Sequence, residues 1–197
     1  MNTIRLGAID IGSNSVRLLI TDVIEYKDKS YFKKEQLIRT PLKLGEDTFA
    51  MGYVSDGKRE KLTLLLEALH TLMVVNDVKL WRICATSALR EAANSKSVTE
   101  YIEARTGLKI EIIDAKEEAR YIMINGISKE LDNETAYLFT DVGGGSTDLI
   151  LCHHDKEIAS ISFRLGTIRQ LSEEEEKLEW EKVTLWIHEH CKEFAKI

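Results

Sequence analysis

Asp141 closes an apolar run, Ala136 to Phe139, and is followed almost at once by Gly143, Gly144 and Gly145, then Ser146, Thr147 and Asp148. A carboxylate at a strand end does not hold phosphate. It can hold a hard cation such as Mg²⁺, which takes oxygen ligands and often binds through one or two carboxylates plus substrate phosphates. Three consecutive glycines admit φ > 0 and close approach of the backbone, and successive N–H groups in such a turn make a concave nest for phosphate oxygens. Together these residues point to metal-assisted phosphate chemistry, although a plain glycine-rich hairpin has the same local pattern.

A second copy separates the two readings. Leu6 to Ile9 is again apolar, Asp10 follows, and Gly12-Ser13-Asn14-Ser15 leads into the apolar run Val16 to Val23. Two such turns facing each other would each bring one carboxylate and one phosphate-cradling turn to a cleft, clamping a polyanion and its metal between two halves of the molecule.

A chain of 197 residues, 44% apolar and 30% charged, is long enough to bury a proper core in one large or two small domains. Its net charge of −6 argues against a general nucleic-acid-binding surface, so a polyanion must meet a local basic patch or a metal. No apolar stretch reaches the roughly 18 residues of a membrane span and no signal-peptide layout is present, so a cytoplasmic location is expected. Cys84, Cys152 and Cys191 share no C-x-x-C spacing and read as reduced core thiols. His188 and His190 sit two apart on a helix and point to different sides, and His153-His154 fall in a turn, so zinc is not expected.

The elements that must position the two turns follow from periodicity. Ile4–Ile11, Val16–Val23 and Tyr31–Thr40 read as an antiparallel meander closed by Pro41, with Leu44 to Asp47 as a loop. Leu62, Leu65, Leu66, Leu69, Leu72 and Met73 lie at helical spacing after Ser55. Leu80–Ala85 is a strand, Thr86 or Ser87 caps a new helix, Ser97–Thr106 continues as helix, Lys109–Ile113 is a strand and Lys116–Ile127 a helix. The strand–turn–strand order then restarts: Ala136–Val142, a strand to Cys152, a turn over residues 153–156, and Glu157–Phe163. Ser172 with Glu175 forms a capping box for a last helix bearing Leu178, Val183, Trp186, Ile187 and Phe194. The pattern is α/β with its opening meander repeated.

With Asp10-Ile11-Gly12-Ser13-Asn14-Ser15-Val16-Arg17-Leu18, Ala85-Thr86-Ser87-Ala88-Leu89-Arg90, Lys116-Glu117-Glu118-Ala119-Arg120 and Asp141 to Asp148 in this order, the chain resembles the exopolyphosphatase / guanosine pentaphosphate phosphohydrolase family. The resemblance implies an actin-like architecture of duplicated ribonuclease H-like domains with mixed sheets, the first over residues 1–130 and the second begun over residues 131–197. Family members continue past the point where this chain stops, so the second domain is expected to be incomplete. Local departures are Ala115-Lys116 in place of a common Ser-Gly, Lys43 in place of an arginine, and Asp148 in place of a frequent Glu.

The function implied is Mg²⁺-dependent release of terminal phosphate from inorganic polyphosphate or guanosine pentaphosphate. Asp10, Asp141 and Asp148 would place Mg²⁺. Gly12, Ser13, Asn14 and Ser15, with Gly143, Gly144, Gly145, Ser146 and Thr147, would hold the phosphates, and Arg90 would fork onto phosphate oxygens. Glu118, which matches the acid directly before Ala-Arg in the family motif, would take the proton of the attacking water, with Glu117 as its neighbour. Two other readings stand beside this one: an ATP-dependent kinase of the same superfamily, and a catalytically silent phosphate-binding module. No nucleic-acid or membrane partner is expected, and homodimerisation stays open.

Overall fold

The computed structural model describes residues 2–124, 135–154 and 156–192. The chain forms two compact units that divide between Ile113 and Asp114. The domain boundary expected at residues 130 and 131, the end of the fifth helix at residues 125–127, and Asp155 and Phe194 lie outside the described residues. Among the described residues no helix is long and apolar enough to cross a membrane.

The first unit is built on a five-stranded mixed sheet in the order β3-β2-β1-β4-β5. Strands β1 (Asn2–Ile11), β2 (Ser15–Tyr26) and β3 (Lys29–Pro41) are antiparallel neighbours, while β4 (Leu80–Ala85) runs parallel to β1 and β5 (Glu111–Ile112) parallel to β4. Alternation decides which face is buried. Ile9, Ile11, Val16, Leu18 and Ile20 point into a core completed by Leu62, Leu66, Leu69 and Met73 of helix α2 (Asp56–Val75). Ser55 caps α2 by accepting the Lys58 N–H. Helices α3 (Ser87–Glu91) and α4 (Ser95–Thr106) add Leu89, Val98 and Ile102 to the same core.

Three local expectations are corrected. Leu44–Met51 is a helix, α1, and not a loop. Lys43 enters it through the left-handed conformation (φ 54°), Leu44 and Thr48 are buried, and Glu46 and Asp47 in the first turn favour the helix dipole. The strand expected over Lys109–Ile113 pairs only at Glu111 and Ile112, because Leu108 and Ile110 turn into the core. Thr86 sits at the N-cap of α3 without a capping side-chain bond, and the Ser87 hydroxyl is engaged elsewhere.

The second unit carries helix α5 (Ala115–Ile124), strands β6 (Tyr137–Val142), β7 (Thr147–His153) and β8 (Lys156–Phe163), and helix α6 (Glu173–Cys191). Its antiparallel sheet has the order β6-β7-β8. The uninterrupted apolar run of β7 is explained by burial on both faces. Leu149 and Leu151 pack with Phe163 and Trp186 of α6, while Ile150 and Cys152 meet Ala119 of α5. Burial pushes the Cys152 thiol up to about 11, in keeping with an inert core residue. The capping box of Ser172 and Glu175 is formed as expected.

Glu179 joins α6 to the end of β8. It is 6% exposed, and its carboxylate accepts the Arg164 N–H (3.0 Å) and the Lys182 ammonium (2.5 Å). Burial works to raise its pKa, but Lys182 and the Arg164 N–H outweigh it and hold the group below its ordinary value. A depressed carboxylate stabilises the fold above its unfolded pKa, and that contribution disappears as pH falls through the folded value. Glu179→Gln is therefore expected to cost about 1–3 kcal/mol at neutral pH and to match wild type below the ordinary carboxylate range. Denaturant unfolding at both pH values checks this; an equal gap at each would contradict it.

Candidate functional site

In the first unit the site residues gather where parallel strands end, the position at which open α/β sheets bind ligands. Ile11, Ala85 and Ile112 stand in register at the carboxyl ends of β1, β4 and β5. The Gly12–Ser15 turn is closed by the Gly12 N–H donating to Ser15 O (3.1 Å). Its Ser13 hydroxyl shares a buried 2.7 Å hydrogen bond with that of Ser87, tying the turn to the start of α3. The Thr86 N–H donates to Ile11 O (3.2 Å), and Arg90 Nη1 donates to Ile113 O (3.0 Å), which fixes the arginine at the same end of the sheet. Asp10, the Gly12–Ser15 turn and Arg90 are thus brought to one end of this unit.

The second unit repeats the turn. The Gly143 N–H donates to Ser146 O (2.8 Å), and Asp141 precedes it as Asp10 precedes Gly12. Gly143, Gly144 and Gly145 do not use the left-handed backbone expected of them; the described glycines with positive φ are Gly52 and Gly107, both closing helices. Close approach is what demands glycine here. A Cβ on Gly143 would lie 3.1 Å from Ser146 O. One on Gly166, further along the chain, would lie 2.4 Å from Gly144 O and 2.6 Å from the carbonyl carbons of Gly144 and Gly145.

That approach belongs to a strap, Leu165 to Arg169, which the motif pattern did not reveal. The N–H of Thr167 donates to Gly143 O (3.0 Å), those of Ile168 and Arg169 donate to Gly144 O (2.9 and 3.2 Å), and Arg169 Nε donates to Gly145 O (2.5 Å). Thr147 Oγ1 donates to Leu165 O (2.7 Å). The first unit has the same device after β3. The N–H groups of Leu42 and Lys43 donate to Asn14 O (3.1 and 2.9 Å), and that of Gly45 to Ser13 O (2.9 Å). Lys58 Nζ secures this strap through Leu42 O (2.7 Å) and Lys43 O (3.0 Å). In both turns carbonyl oxygens, which would repel an anion, are consumed by the strap.

The two carboxylates stand in different electrostatic settings. Asp10 is directly opposite Arg17 on β2, and Arg17 Nη1 lies 3.1 Å from Asp10 Oδ2. Asp141 is directly opposite Asp148 on β7. Directly opposed residues share a face of the sheet, and like charges there are destabilising. Asp148 is 5% exposed, Asp141 is exposed, and Ser162 stands opposite Asp148 on the other side. Among the described residues no cluster of three or more His, Cys, Asp or Glu is present. The Asp141–Asp148 pair supplies two carboxylates on one face of the sheet, oxygen donors of the kind Mg²⁺ takes where water and substrate oxygens complete its shell.

Glu118 lies partly buried in the first turns of α5, its N–H donating to Asp114 O (3.0 Å). Asp114 Oδ1 caps the helix through the Glu117 N–H (2.7 Å), and Glu117 accepts from the Tyr121 hydroxyl (2.6 Å). A cleft of 420 Å³ opens between α5 and the sheet, lined by Ala115, Lys116, Ala119, Asp148 and the polar edge of β8. A second cleft, of 330 Å³, is lined by Asp114, Lys116, Glu117, Arg120 and Glu157. Glu118 lines neither, whereas Lys116, where the family pattern has glycine, lines both.

Comparison with known proteins places this geometry among relatives. The family model described as the Ppx/GppA phosphatase family matches residues 24–176. The chain is 30% identical over 171 residues to exopolyphosphatase 2 of Mycobacterium tuberculosis, covering 84% of this chain and 53% of that protein. It is 29% identical over 164 residues to the guanosine-5'-triphosphate,3'-diphosphate pyrophosphatase of Aliivibrio fischeri, covering 83% of this chain and 32% of that protein. A crystal structure of the Aquifex aeolicus Ppx/GppA family member superposes with a TM-score of 0.73 at 24% identity, over 99% of this chain and 64% of that one. The chain thus spans about a third to about half the length of these curated relatives.

Gly166→Ala tests the strap. Its Cβ would force apart two backbones, with an expected cost of about 1–3 kcal/mol and displaced amide resonances for Gly143 to Gly145. Gly57→Ala, at a helical position with nothing within 4 Å of the new Cβ, is expected to be neutral or stabilising. Equal melting temperatures for the two variants would contradict the packing account.

Proposed function

Because the chain belongs to the Ppx/GppA phosphatase family, we propose that it acts as a phosphohydrolase, releasing terminal phosphate from inorganic polyphosphate or guanosine pentaphosphate in the cytoplasm. The observation that carries this reading is the pair of strap-held glycine turns, each beside a strand-end aspartate. Relatives named for both substrates support it at the level of phosphoanhydride hydrolysis.

Each residue has a role in this proposal. The N–H groups of Ser13 and Asn14 and of Gly144 and Gly145 bind phosphate oxygens, whereas the Gly12 and Gly143 N–H groups are spent on closing the turns and the Ser13 and Thr147 hydroxyls on Ser87 and on Leu165 O; Arg90 neutralises charge on the phosphates with its planar fork. Asp141 and Asp148 hold Mg²⁺ in the second unit, and Asp10 is the corresponding strand-end acid of the first, paired there with Arg17. When bound, that ion neutralises charge on the phosphoanhydride. Glu118 accepts the proton of the attacking water. Most of the barrier lowering in such chemistry comes from positioning and electrostatics, which suits turns held rigidly from behind.

Phosphate release from polyphosphate by the purified chain tests the reading. Glu118→Gln preserves shape but cannot accept a proton, so turnover is expected to fall roughly 10²–10⁴-fold with polyphosphate binding retained; unchanged turnover would remove Glu118 from that role. Excess chelator is expected to abolish turnover and to leave the melting temperature of Asp148→Asn unaltered while shifting that of the Mg²⁺-loaded wild type. Binding without any release would make the chain a silent phosphate-binding module.

A further inference from the structure

Arg39 of β3 has no part in the site described above. It stands directly opposite Arg17 of β2, which in turn stands directly opposite Asp10 of β1. Directly opposed residues of antiparallel strands share a face, so Asp10, Arg17 and Arg39 form one row across three strands at the end of the sheet that carries the Gly12–Ser15 turn. The row holds two guanidinium groups and one carboxylate, and that carboxylate pairs with Arg17 at 3.1 Å.

The setting of Arg39 is specific. Its Nε donates to Ser15 Oγ at 3.1 Å, and Ser15 is a turn residue only 2% exposed. That bond fixes the guanidinium beside the turn and uses one of its five N–H donors, leaving the Nη groups. Arg39 is exposed, and among the described residues no carboxylate lies within 4.0 Å of it. Two arginines opposed on one face destabilise the sheet by their mutual repulsion. A surplus cation in a chain of net charge −6 is not the by-product of a basic surface. Lys43, two residues beyond Pro41, is paired with Glu46 at 3.1 Å, so Arg39 and not Lys43 supplies the surplus charge beside this turn.

We propose that Arg39 is a binding residue for a second phosphate group of a linear polyanion, one placed further along the chain than the phosphates in the turns. Strands lie about 4.8 Å apart, so the row from Asp10 to Arg39 extends about 10 Å across the sheet, a span that a terminal phosphate alone does not fill. This rests on the phosphohydrolase reading and narrows it to a substrate that carries a further phosphate beyond the one in the turn.

The test compares binding of inorganic phosphate and of long-chain polyphosphate to the full chain, by calorimetry at several salt concentrations, for wild type, Arg39→Gln and Arg39→Lys. Arg39→Gln is expected to weaken long-chain binding about tenfold and to make its salt dependence shallower by about one unit of slope, with inorganic phosphate affinity held within about twofold of wild type. Arg39→Lys keeps the charge but not the fork and is expected to fall between the two; should the Gln variant fail to fold by circular dichroism, the Lys variant decides. Undiminished long-chain binding, or equal loss for both ligands, would overturn the subsite. A wild type that binds neither ligand would instead defeat the phosphohydrolase reading on which the subsite rests.

Discussion

A backbone turn that receives an anion must direct its N–H groups outward and dispose of its carbonyl oxygens elsewhere. Both glycine turns of this chain meet that constraint in the same way. The segment after the third strand of each meander crosses behind the turn and donates its own N–H groups to the carbonyls of Ser13 and Asn14 in one unit and of Gly143 and Gly144 in the other. Much of the surrounding structure serves these straps. Lys58 reaches from α2 to hold Leu42 and Lys43, Glu179 reaches from α6 to hold Arg164 at the head of the second strap, and Arg169 holds Gly145 from within it. Buried polar groups left unpaired cost free energy, so a turn with its carbonyls satisfied in one arrangement is rigid in that arrangement.

The repeat is a repeat of backbone and not of charge. At the same place in each hairpin, opposite the strand-end aspartate, the first unit carries Arg17 and the second carries Asp148. The first turn is therefore flanked by the Asp10–Arg17 pair and by a further cation, Arg39, while the second is flanked by two acids. The duplicated frame thus carries opposite flanking charge, a guanidinium opposite the strand-end acid in one unit and a second carboxylate opposite it in the other.

How much of this was legible in the sequence depended on whether the cause was local. The glycine turns, the doubly buried run Leu149 to Cys152 and the capping box of Ser172 and Glu175 all announce themselves through neighbouring residues. Helix α1 did not, because its start depends on Lys43 adopting a left-handed conformation held by its N–H donating to Asn14 O of the distant turn and by its carbonyl accepting from Lys58 Nζ. The straps are invisible for a similar reason: backbone N–H groups carry no residue code, and only Gly166, whose missing Cβ makes room for Gly144, left a trace. Arg39 read as an ordinary strand residue, since its register opposite Arg17 and its contact with Ser15 become apparent only once β2 and β3 are paired.

The central claim is that the strap-held turns present their amide edges to phosphate oxygens. Amide chemical shifts of the ¹⁵N-labelled chain during titration with tripolyphosphate in the presence of Mg²⁺ test it most directly. The account predicts that the largest movements fall on the amides of Ser13, Asn14, Gly144 and Gly145, with those of Leu42, Lys43, Thr167 and Ile168, already bonded to the turns, moving less. Movements confined to exposed lysines elsewhere, with the turn amides unchanged, would contradict it.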